Sequence, residues 1–294
     1  MGTTHITTGE NKSARAKTAA SRAISYIFLA FVTVLSLFPI ILLIINSTRS
    51  HIALTEGFSI IPGDYFIKNL VKAWNDTSMF TIPRGMLNSF IVAGSCCIVT
   101  TYFSAMTAYG IHVYDFKMKK FAFNFIMIIM MIPTQVSAVG FLNLVGQFNM
   151  YNTYWPLIIP AIAAPGTFFY MKQYIESSMP LEVIEAARVD GSNEFSTFNR
   201  IALPMLKPAI AVQLIFSFVA SWNNFFTPAL VLNKSQMWTL PVMISVLRSN
   251  LQSQTGDLGE VYMMIMLSII PVIIVYFFIS KNIVQGVALG AVKG

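Results

Sequence analysis

Five long charge-free stretches constrain this chain more than any other feature of its sequence. They extend from Ala23 to Thr48, Gly85 to Tyr114, Phe121 to Met171, Pro208 to Asn233 and Val261 to Ser280. A helix crosses the hydrocarbon core of a bilayer with about 20 apolar residues. Only a helix or a closed barrel satisfies its backbone there. Only 11% of the residues are charged, against about 25% in soluble domains, so the sequence predicts an integral membrane protein.

The third stretch is too long for one span, and its polar residues 147–153 predict a turn between two spans. The predicted fold class is therefore all-α, an integral membrane helical bundle with six transmembrane helices. An N-terminal segment of residues 1–23 precedes a six-span domain of residues 24–281, and a tail of residues 282–294 follows it. A loop of residues 172–207 connects spans four and five.

The basic residues predict the orientation, because loops on the inner side of a membrane are enriched in Lys and Arg. Thirteen of the 19 basic residues fall on the side that carries both termini. We therefore expect a multi-pass protein of the cell membrane with both termini in the cytoplasm. The net charge of +7 reflects this topology, and since the basic residues form no stripe, nucleic acid is not an expected partner.

Residues 47–84 form a long segment on the outer side. Their apolar positions, Phe66, Ile67, Leu70, Val71 and Trp74, recur at helical spacing opposite Lys68, Lys72 and Asn75. The pattern predicts a short amphipathic helix, either lying in the outer lipid interface or docking an external partner.

Little in the sequence favours catalysis. Cys96 and Cys97 are adjacent in an apolar run, and three scattered histidines give no metal-binding pattern. The chain has no GxxxxGK[ST] phosphate-binding loop. We expect no cofactor, no metal site, no catalytic residue and no ATP hydrolysis by this chain itself.

The loop of residues 172–207 has features that a simple connection between two spans does not need. It holds five of the 12 acidic residues and predicts two short helices joined at Gly191, with Ser192 capping the second helix. Its apolar residues would be a liability on a free surface and indicate that another protein covers them. They are Leu181, Ile184, Phe195 and Phe198.

This loop also carries a specific motif. Glu185-Ala186-Ala187 is followed after three residues by Gly191 and, after nine more, by Ile201-Ala202-Leu203-Pro204. The pattern resembles the EAA signature of the permeases of binding-protein-dependent ABC importers. Other stretches resemble the shorter permease of the maltose-type sugar subfamily: Phe38-Pro39, 58–63, 221–226, 239–241 and the ending 284–294.

The resemblance implies a set of partners: a second, homologous permease, two ATPase subunits, an external solute-binding protein, a sugar and membrane lipid. It also implies that the loop helices dock on an ATPase subunit and couple ATP-driven closure to the spans. The residues it assigns to coupling are Glu185, Ala186, Ala187, Gly191, Phe195, Leu203 and Pro204.

The fifth span carries a polar stripe at helical spacing. Its members are Gln213, Ser217, Ser221 and Asn224, with Trp222 and Asn223 beside them. Amides and hydroxyls suit the hydroxyl groups of a sugar on its path, but hydrogen bonds between helices need the same residue types. Weaker candidates for the path are Asn88, Ser89, Thr134 and Gln135.

Other functions stay open at this level. The same machinery could carry a non-sugar polar solute such as a glycerol-phosphate compound. An ion-coupled secondary transporter would need ionisable groups within the spans or inverted repeats, and a membrane enzyme would need a catalytic pair. None of these features is evident.

Overall fold

Every regular element of the described chain is helical. The computed structural model describes residues 8–75, 81–252 and 256–291, with side chains between residues 18 and 279 of these ranges, Gln252 excepted. Parts of the predicted terminal segments 1–23 and 282–294 therefore lie outside the described residues. The α-helices are α1 (Thr8–Ser47), α2 (His51–Thr55), α3 (Phe66–Asn75), α4 (Ile82–Val113), α5 (Lys119–Met130), α6 (Ala138–Gln147), α7 (Trp155–Ile158), α8 (Pro165–Ser178), α9 (Leu181–Val189), α10 (Glu194–Thr197), α11 (Leu203–Met205), α12 (Lys207–Trp222), α13 (Phe226–Val231), α14 (Leu240–Gln252) and α15 (Leu258–Ala291).

Helix α4 is the centre of the bundle. Its 32 residues give a length of about 48 Å at 1.5 Å per residue. It packs against α8 on one side and α12 on another, while α12 packs against α15 and α15 against α1. Because it is apolar on all sides, α4 buries residues around most of its circumference, from Ile82 to Ile111.

Helix α1 lies at the edge of this arrangement. Its apolar part, Thr18–Ser47, is long enough to cross a bilayer. An apolar stretch of 18 residues within it has no residue buried by the rest of the described chain. Large apolar side chains from Ile24 to Ile44 are exposed along it. Such a surface needs lipid or another chain to cover it.

The number of continuous long helices is smaller than the number of predicted spans. Among the described residues three helices are long and apolar enough to cross a membrane: Thr18–Ser47, Ile82–Val113 and Leu258–Ile279. A fourth candidate is the pair Glu194–Met205 and Lys207–Trp222, which is bent by 82°. The count of six spans therefore stays a prediction.

The predicted third and fourth spans are built from interrupted helices. The chain does turn within residues 147–153, where Asn149 and Asn152 have positive φ values of 52° and 58°. Breaks then separate α5 from α6 and α7 from α8, and Pro133, Pro160 and Pro165 lie at them. Proline interrupts helical hydrogen bonding, and irregular backbone is tolerated at membrane depth where it lines a cavity or is buried in protein.

Helix α3 forms as predicted, but the residues that it buries are not those of the predicted apolar face. Ile67, Val71 and Trp74 are exposed, as a lipid contact or an external partner requires, whereas Asn69 and Ala73 are buried. The Asn69 amide donates to the carbonyl oxygens of Ser47 and Arg49, each at 2.9 Å. It thereby holds α3 against the end of α1.

The link from α3 to α15 is ionic. Lys72 pairs with Asp257 at 2.8 Å and with Glu260 at 3.5 Å. The same charges raise the pKa of Lys72 even though partial burial opposes them. These contacts and those of Asn69 tie the C-terminal end of α1, α3 and the start of α15 into one polar cluster.

Candidate functional site

Helix α9 presents the first part of the motif. Its buried face consists of Ile184 and Ala187, which pack on the bundle, while Glu185 and Ala186 on the other side are exposed. Leu181, which was expected on the same face as Ile184, is 41% exposed. The motif's carboxylate and one of its alanines therefore point away from the chain's own core.

Gly191 terminates α9 in the predicted left-handed conformation, with a φ of +79°. The Gly191 amide donates to the Arg188 carbonyl at 3.0 Å, and the Ser192 amide donates to the Ala187 carbonyl at 2.9 Å. This pair of bonds is the Schellman arrangement, which satisfies the last free carbonyls of a helix.

The residue that caps the second loop helix is not the predicted one. Asn193 accepts a hydrogen bond from the Ser196 amide at 2.8 Å and is the N-cap of α10. The Ser192 hydroxyl instead accepts one from Thr197 at 2.9 Å. The Ser192 amide completes the turn at Gly191 and its hydroxyl is taken by Thr197, and α10 begins after Asn193.

Two of the four apolar loop residues expected on the surface are buried. Phe198 is only 3% exposed, and its ring contacts those of Tyr102 and Tyr109 on α4 at centroid distances of 5.7 and 5.3 Å. Ile184 is also fully buried, because α9 lies on the same cluster. Phe195, however, is 71% exposed, as predicted for a residue that a partner would cover.

The remaining motif residues lie where the loop joins the fifth span. Leu203 is half-buried and Pro204 is exposed in α11, after a turn of π-helix from Phe198 to Ala202. The chain then bends by 82° into α12. Pro204 thus precedes a sharp change of direction between the loop and the bundle.

One acidic side chain of the loop joins three elements. The Glu194 carboxylate accepts hydrogen bonds from Arg188 on α9 at 2.7 Å and from Tyr114 and Tyr109 at the end of α4 at 2.5 and 3.4 Å. The hydrogen bonds from Arg188 and then Tyr114 lower the pKa of Glu194. The sequence did not single out this residue, since nothing in it places the two tyrosines beside the loop.

Of the other loop carboxylates, Glu176 pairs with Lys172 at 2.6 Å, and three are free within the described part of the chain. Glu182, Glu185 and Asp190 are exposed and make no ion pair with any described residue. Val189, 87% exposed, and Phe195 add apolar surface. The exposed side of the loop thus combines negative charge with apolar side chains, which suits a partner surface that offers basic groups around an apolar groove.

A cavity of about 750 Å³ lies beside α4 where the interrupted helices break. Its polar lining consists of hydroxyls, one amide and one thiol. The lining residues with polar side chains are Cys96, Thr100, Thr134, Ser137, Thr167, Ser217, Ser221, Asn224 and Thr227. Among the described residues, no Asp, Glu, Lys, Arg or His side chain lines it.

The cavity includes most of the predicted stripe. Ser217, Ser221 and Asn224 line it, whereas Gln213 is buried in α12 outside its lining and Asn223 is exposed at the end of α12. The Asn224 amide side chain also bonds Thr227. The stripe is therefore divided between the cavity wall and helix packing.

Trp222 does not lie on this wall. It is 3% exposed, donates from its indole nitrogen to the Ser268 carbonyl at 3.1 Å and stacks on Phe218. Its ring is thus occupied in joining α12 to α15, which corrects the expectation that it lies beside the path for a sugar.

Two of the weaker candidates also have structural partners. Asn88 donates to the carbonyls of Gln236 and Trp238, each at 2.9 Å, and Ser89 accepts from the Leu240 amide at 2.8 Å. Thr134 lines the cavity and Gln135 does not. The sequence did not identify Thr100, Ser137 or Thr167, because single hydroxyls in apolar runs give no pattern.

Comparison with known proteins places these features in a family. Residues 98–289 match the family described as "Binding-protein-dependent transport system inner membrane component". The chain is 32% identical over 273 residues to the arabinooligosaccharides transport system permease protein AraQ of Bacillus subtilis, covering 91% of this chain and 94% of that protein. It is 30% identical over 279 residues to the multiple sugar-binding transport system permease protein MsmG of Streptococcus mutans, covering 91% and 96%.

A solved structure has the same fold. It is a bacterial ABC transporter involved in the import of the acidic polysaccharide alginate. The TM-score is 0.74 at 20% identity, and the match covers 95% of this chain and 99% of that one.

Proposed function

Since the chain belongs to the family of binding-protein-dependent transport system inner membrane components, we propose that it forms half of the translocation path of an ABC importer for a sugar. The relatives' names support the substrate class: one is a permease for arabinooligosaccharides and another belongs to a multiple-sugar system. The partners follow from the same machinery: a second, homologous permease, two ATPase subunits that hydrolyse ATP, and an external solute-binding protein.

The topology we propose has six spans within residues 24–281 and both termini in the cytoplasm, with segment 1–23 and tail 282–294 on that side. The distribution of Lys and Arg supports it. Six spans result when the three long helices are joined by α5–α6 and α7–α8, counted as one span each, and by α12 after the bend. The loop of residues 172–207 then lies on the cytoplasmic side.

In this loop, the residues that couple the ATPase to the spans are Glu185, Ala186, Ala187, Gly191, Phe195, Leu203 and Pro204, with Ala187 acting from the buried face of α9 and the others at the contact itself. The observation that carries this assignment is the exposed side of the loop, where Glu185 has no partner among the described residues while Ile184 and Ala187 anchor the same helix to the bundle. Small Ala186 lets a partner approach closely. A force applied to α9 therefore reaches the bundle through its buried face.

The substrate passes along the wall that carries Ser217, Ser221 and Asn224, with Gln213 and Asn223 at other levels of the same span. The cavity's hydroxyl and amide lining suits an uncharged solute rich in hydroxyls, since the described part of the chain contributes no carboxylate and no basic group to it. A phosphorylated solute, the closest alternative, fits this lining less well because no cation offsets its charge. Ion coupling is disfavoured for the same reason.

The mechanism is alternating access. The loaded binding protein docks on the outer side, and ATP-driven closure of the ATPase pair moves the loop of residues 172–207. The spans then open outward and receive the solute, and ATP hydrolysis returns them to the inward-facing state. The energy of ATP hydrolysis thus reaches this chain only through the movement of the loop of residues 172–207.

The test is Glu185→Lys, which reverses the charge at the proposed contact. We expect the protein to insert normally but uptake to fall, while ATP hydrolysis no longer responds to the loaded binding protein. Asp115→Lys is the matched control, because Asp115 is an exposed carboxylate without an ion-pair partner among the described residues outside the proposed contact. Normal uptake with Glu185→Lys, or equal loss with Asp115→Lys, would contradict the assignment.

A further inference from the structure

The Glu194 carboxylate lies where the two loop helices meet the end of α4. One oxygen, Oε1, accepts from Arg188 Nε at 2.7 Å. The other, Oε2, accepts from the hydroxyls of Tyr114 and Tyr109. The Arg188 guanidinium also lies over the Tyr114 ring, 5.4 Å from its centre. We call these four residues, Arg188, Glu194, Tyr109 and Tyr114, the Glu194 junction.

The junction connects parts of the chain that are otherwise separate. Arg188 belongs to the last turn of α9, Glu194 begins α10, and the two tyrosines lie at the end of α4. Each carboxylate oxygen therefore faces a different helix. A carboxamide at this position keeps a single oxygen acceptor and loses the charge, so it cannot bind both groups in the same way.

The ion pair by itself is too exposed to hold the fold. The side chains of Arg188 and Glu194 are 36% and 46% exposed, and pairs of this kind contribute little to stability. The loop is anchored separately by the buried residues Ile184 and Phe198. The junction instead links the end of α9 to the end of α4 through hydrogen bonds to a single carboxylate.

Helix α4 continues without interruption from the junction to the cavity. Tyr109 and Thr100 are nine residues apart on one helix, about 14 Å at 1.5 Å per residue. Thr100 and Cys96 form part of the cavity wall. A movement of α9 that is passed to Tyr109 is thus delivered to the cavity by a rigid element.

We propose that Glu194 is a positioning residue that makes α9, α10 and α4 move as one unit, so that movement at the exposed loop surface reaches the cavity. This inference rests on the proposed importer function. It assigns separate roles to the two carboxylates of the loop: Glu185 contacts the partner, and Glu194 transmits the movement within the chain.

The experiment compares Glu194→Gln with wild type in the complete importer reconstituted in proteoliposomes. Three quantities are measured: co-purification of the ATPase subunits, ATP hydrolysis stimulated by the loaded binding protein, and solute taken up per ATP hydrolysed. We expect co-purification and hydrolysis to persist while uptake per ATP falls about five- to tenfold, the low end of typical coupling between sites.

Two further variants make the test specific. The double variant Tyr109→Phe, Tyr114→Phe removes both hydroxyl donors without changing the loop, and we expect the same loss of uptake per ATP. Glu176→Gln is the matched control, because it breaks an ion pair with Lys172 at 2.6 Å within the single helix α8, and it should leave uptake per ATP unchanged.

The outcomes separate this inference from the proposed function. If Glu194→Gln and the tyrosine variant both keep the wild-type uptake per ATP, the inference is overturned, while a defect in Glu185→Lys still supports the coupling loop. If Glu194→Gln fails to insert, the tyrosine variant decides. If the ATPase subunits no longer co-purify with Glu194→Gln, Glu194 belongs to the docking contact and the positioning role is wrong.

Discussion

Substituting Gly191 should reduce uptake in proportion to the backbone strain that each new residue introduces. Its φ of +79° lies in the left-handed region, and a Cβ added there would meet no atom within 4 Å. Steric contact therefore contributes nothing, and the cost is that of the backbone conformation alone. For an ordinary L-residue this is about 1–2 kcal/mol, and Asn tolerates the conformation better than Ala.

Proline at this position adds two further costs. Its ring fixes φ near −65°, which is incompatible with the observed turn, and it removes the amide that donates to Arg188 at 3.0 Å. The expected order of uptake is therefore wild type, then Gly191→Asn, Gly191→Ala and Gly191→Pro. A cost of 1–2 kcal/mol corresponds to about 5- to 30-fold in the population of the turn, which sets the upper limit of the loss for alanine.

The assay measures uptake and ATP hydrolysis in the reconstituted importer, normalised to the amount of inserted protein. Gly94→Ala is the control, because Gly94 lies within α4, has no positive φ and also has open space around its Cβ position. It should be neutral. Equal uptake by the alanine and proline variants, or a loss with Gly94→Ala as large as with Gly191→Ala, would refute the role of the turn.

Three further predictions concern the cavity and the polar cluster. Ser217→Leu should narrow the cavity and lower uptake without loss of the ATPase subunits, whereas Phe216→Leu on the exposed side of α12 should have little effect on transport assays. Asn69→Leu should lower stability by about 1–3 kcal/mol, measured as thermal aggregation in detergent, because two carbonyls lose their donor. Burial alone would raise the pKa of Asp257, but its hydrogen bond and ion pair with Lys72 lower that pKa below its ordinary value. That contribution to stability is present above the ordinary pKa and is lost as the pH falls through the lowered one, so Asp257→Asn should lack this loss when melting is followed down to about pH 3.

Much of the candidate site could be predicted from local sequence. The glycine turn after α9 and the exposure of Glu185 and Phe195 depend on residue types and spacing, and the structure confirms both. The cap is Asn193 and not the predicted Ser192, whose amide completes the turn and whose hydroxyl accepts from Thr197. Positions of caps are sensitive to such single hydrogen bonds, which spacing alone does not determine.

The burial of Ile184 and Phe198 required the tertiary structure. Both lie on apolar faces that suit a partner as well as they suit the chain's own core. Only the packing of the loop on α4, with Phe198 between two tyrosine rings, decides between these possibilities. The same is true of Trp222, because an indole ring with a single N–H group suits both the path of a sugar and an apolar core.

The sequence by itself determined that this chain is a helical membrane protein and predicted a loop of the coupling type, because charge-free length and motif spacing are properties of single segments. The tertiary structure decided where the helices break, which hydroxyls converge on the cavity, and that one carboxylate, Glu194, joins the loop to α4. These features bring together residues far apart in the sequence, such as Tyr109 and Glu194, which are 85 positions apart. No local pattern encodes them, since they depend on how the helices pack against each other.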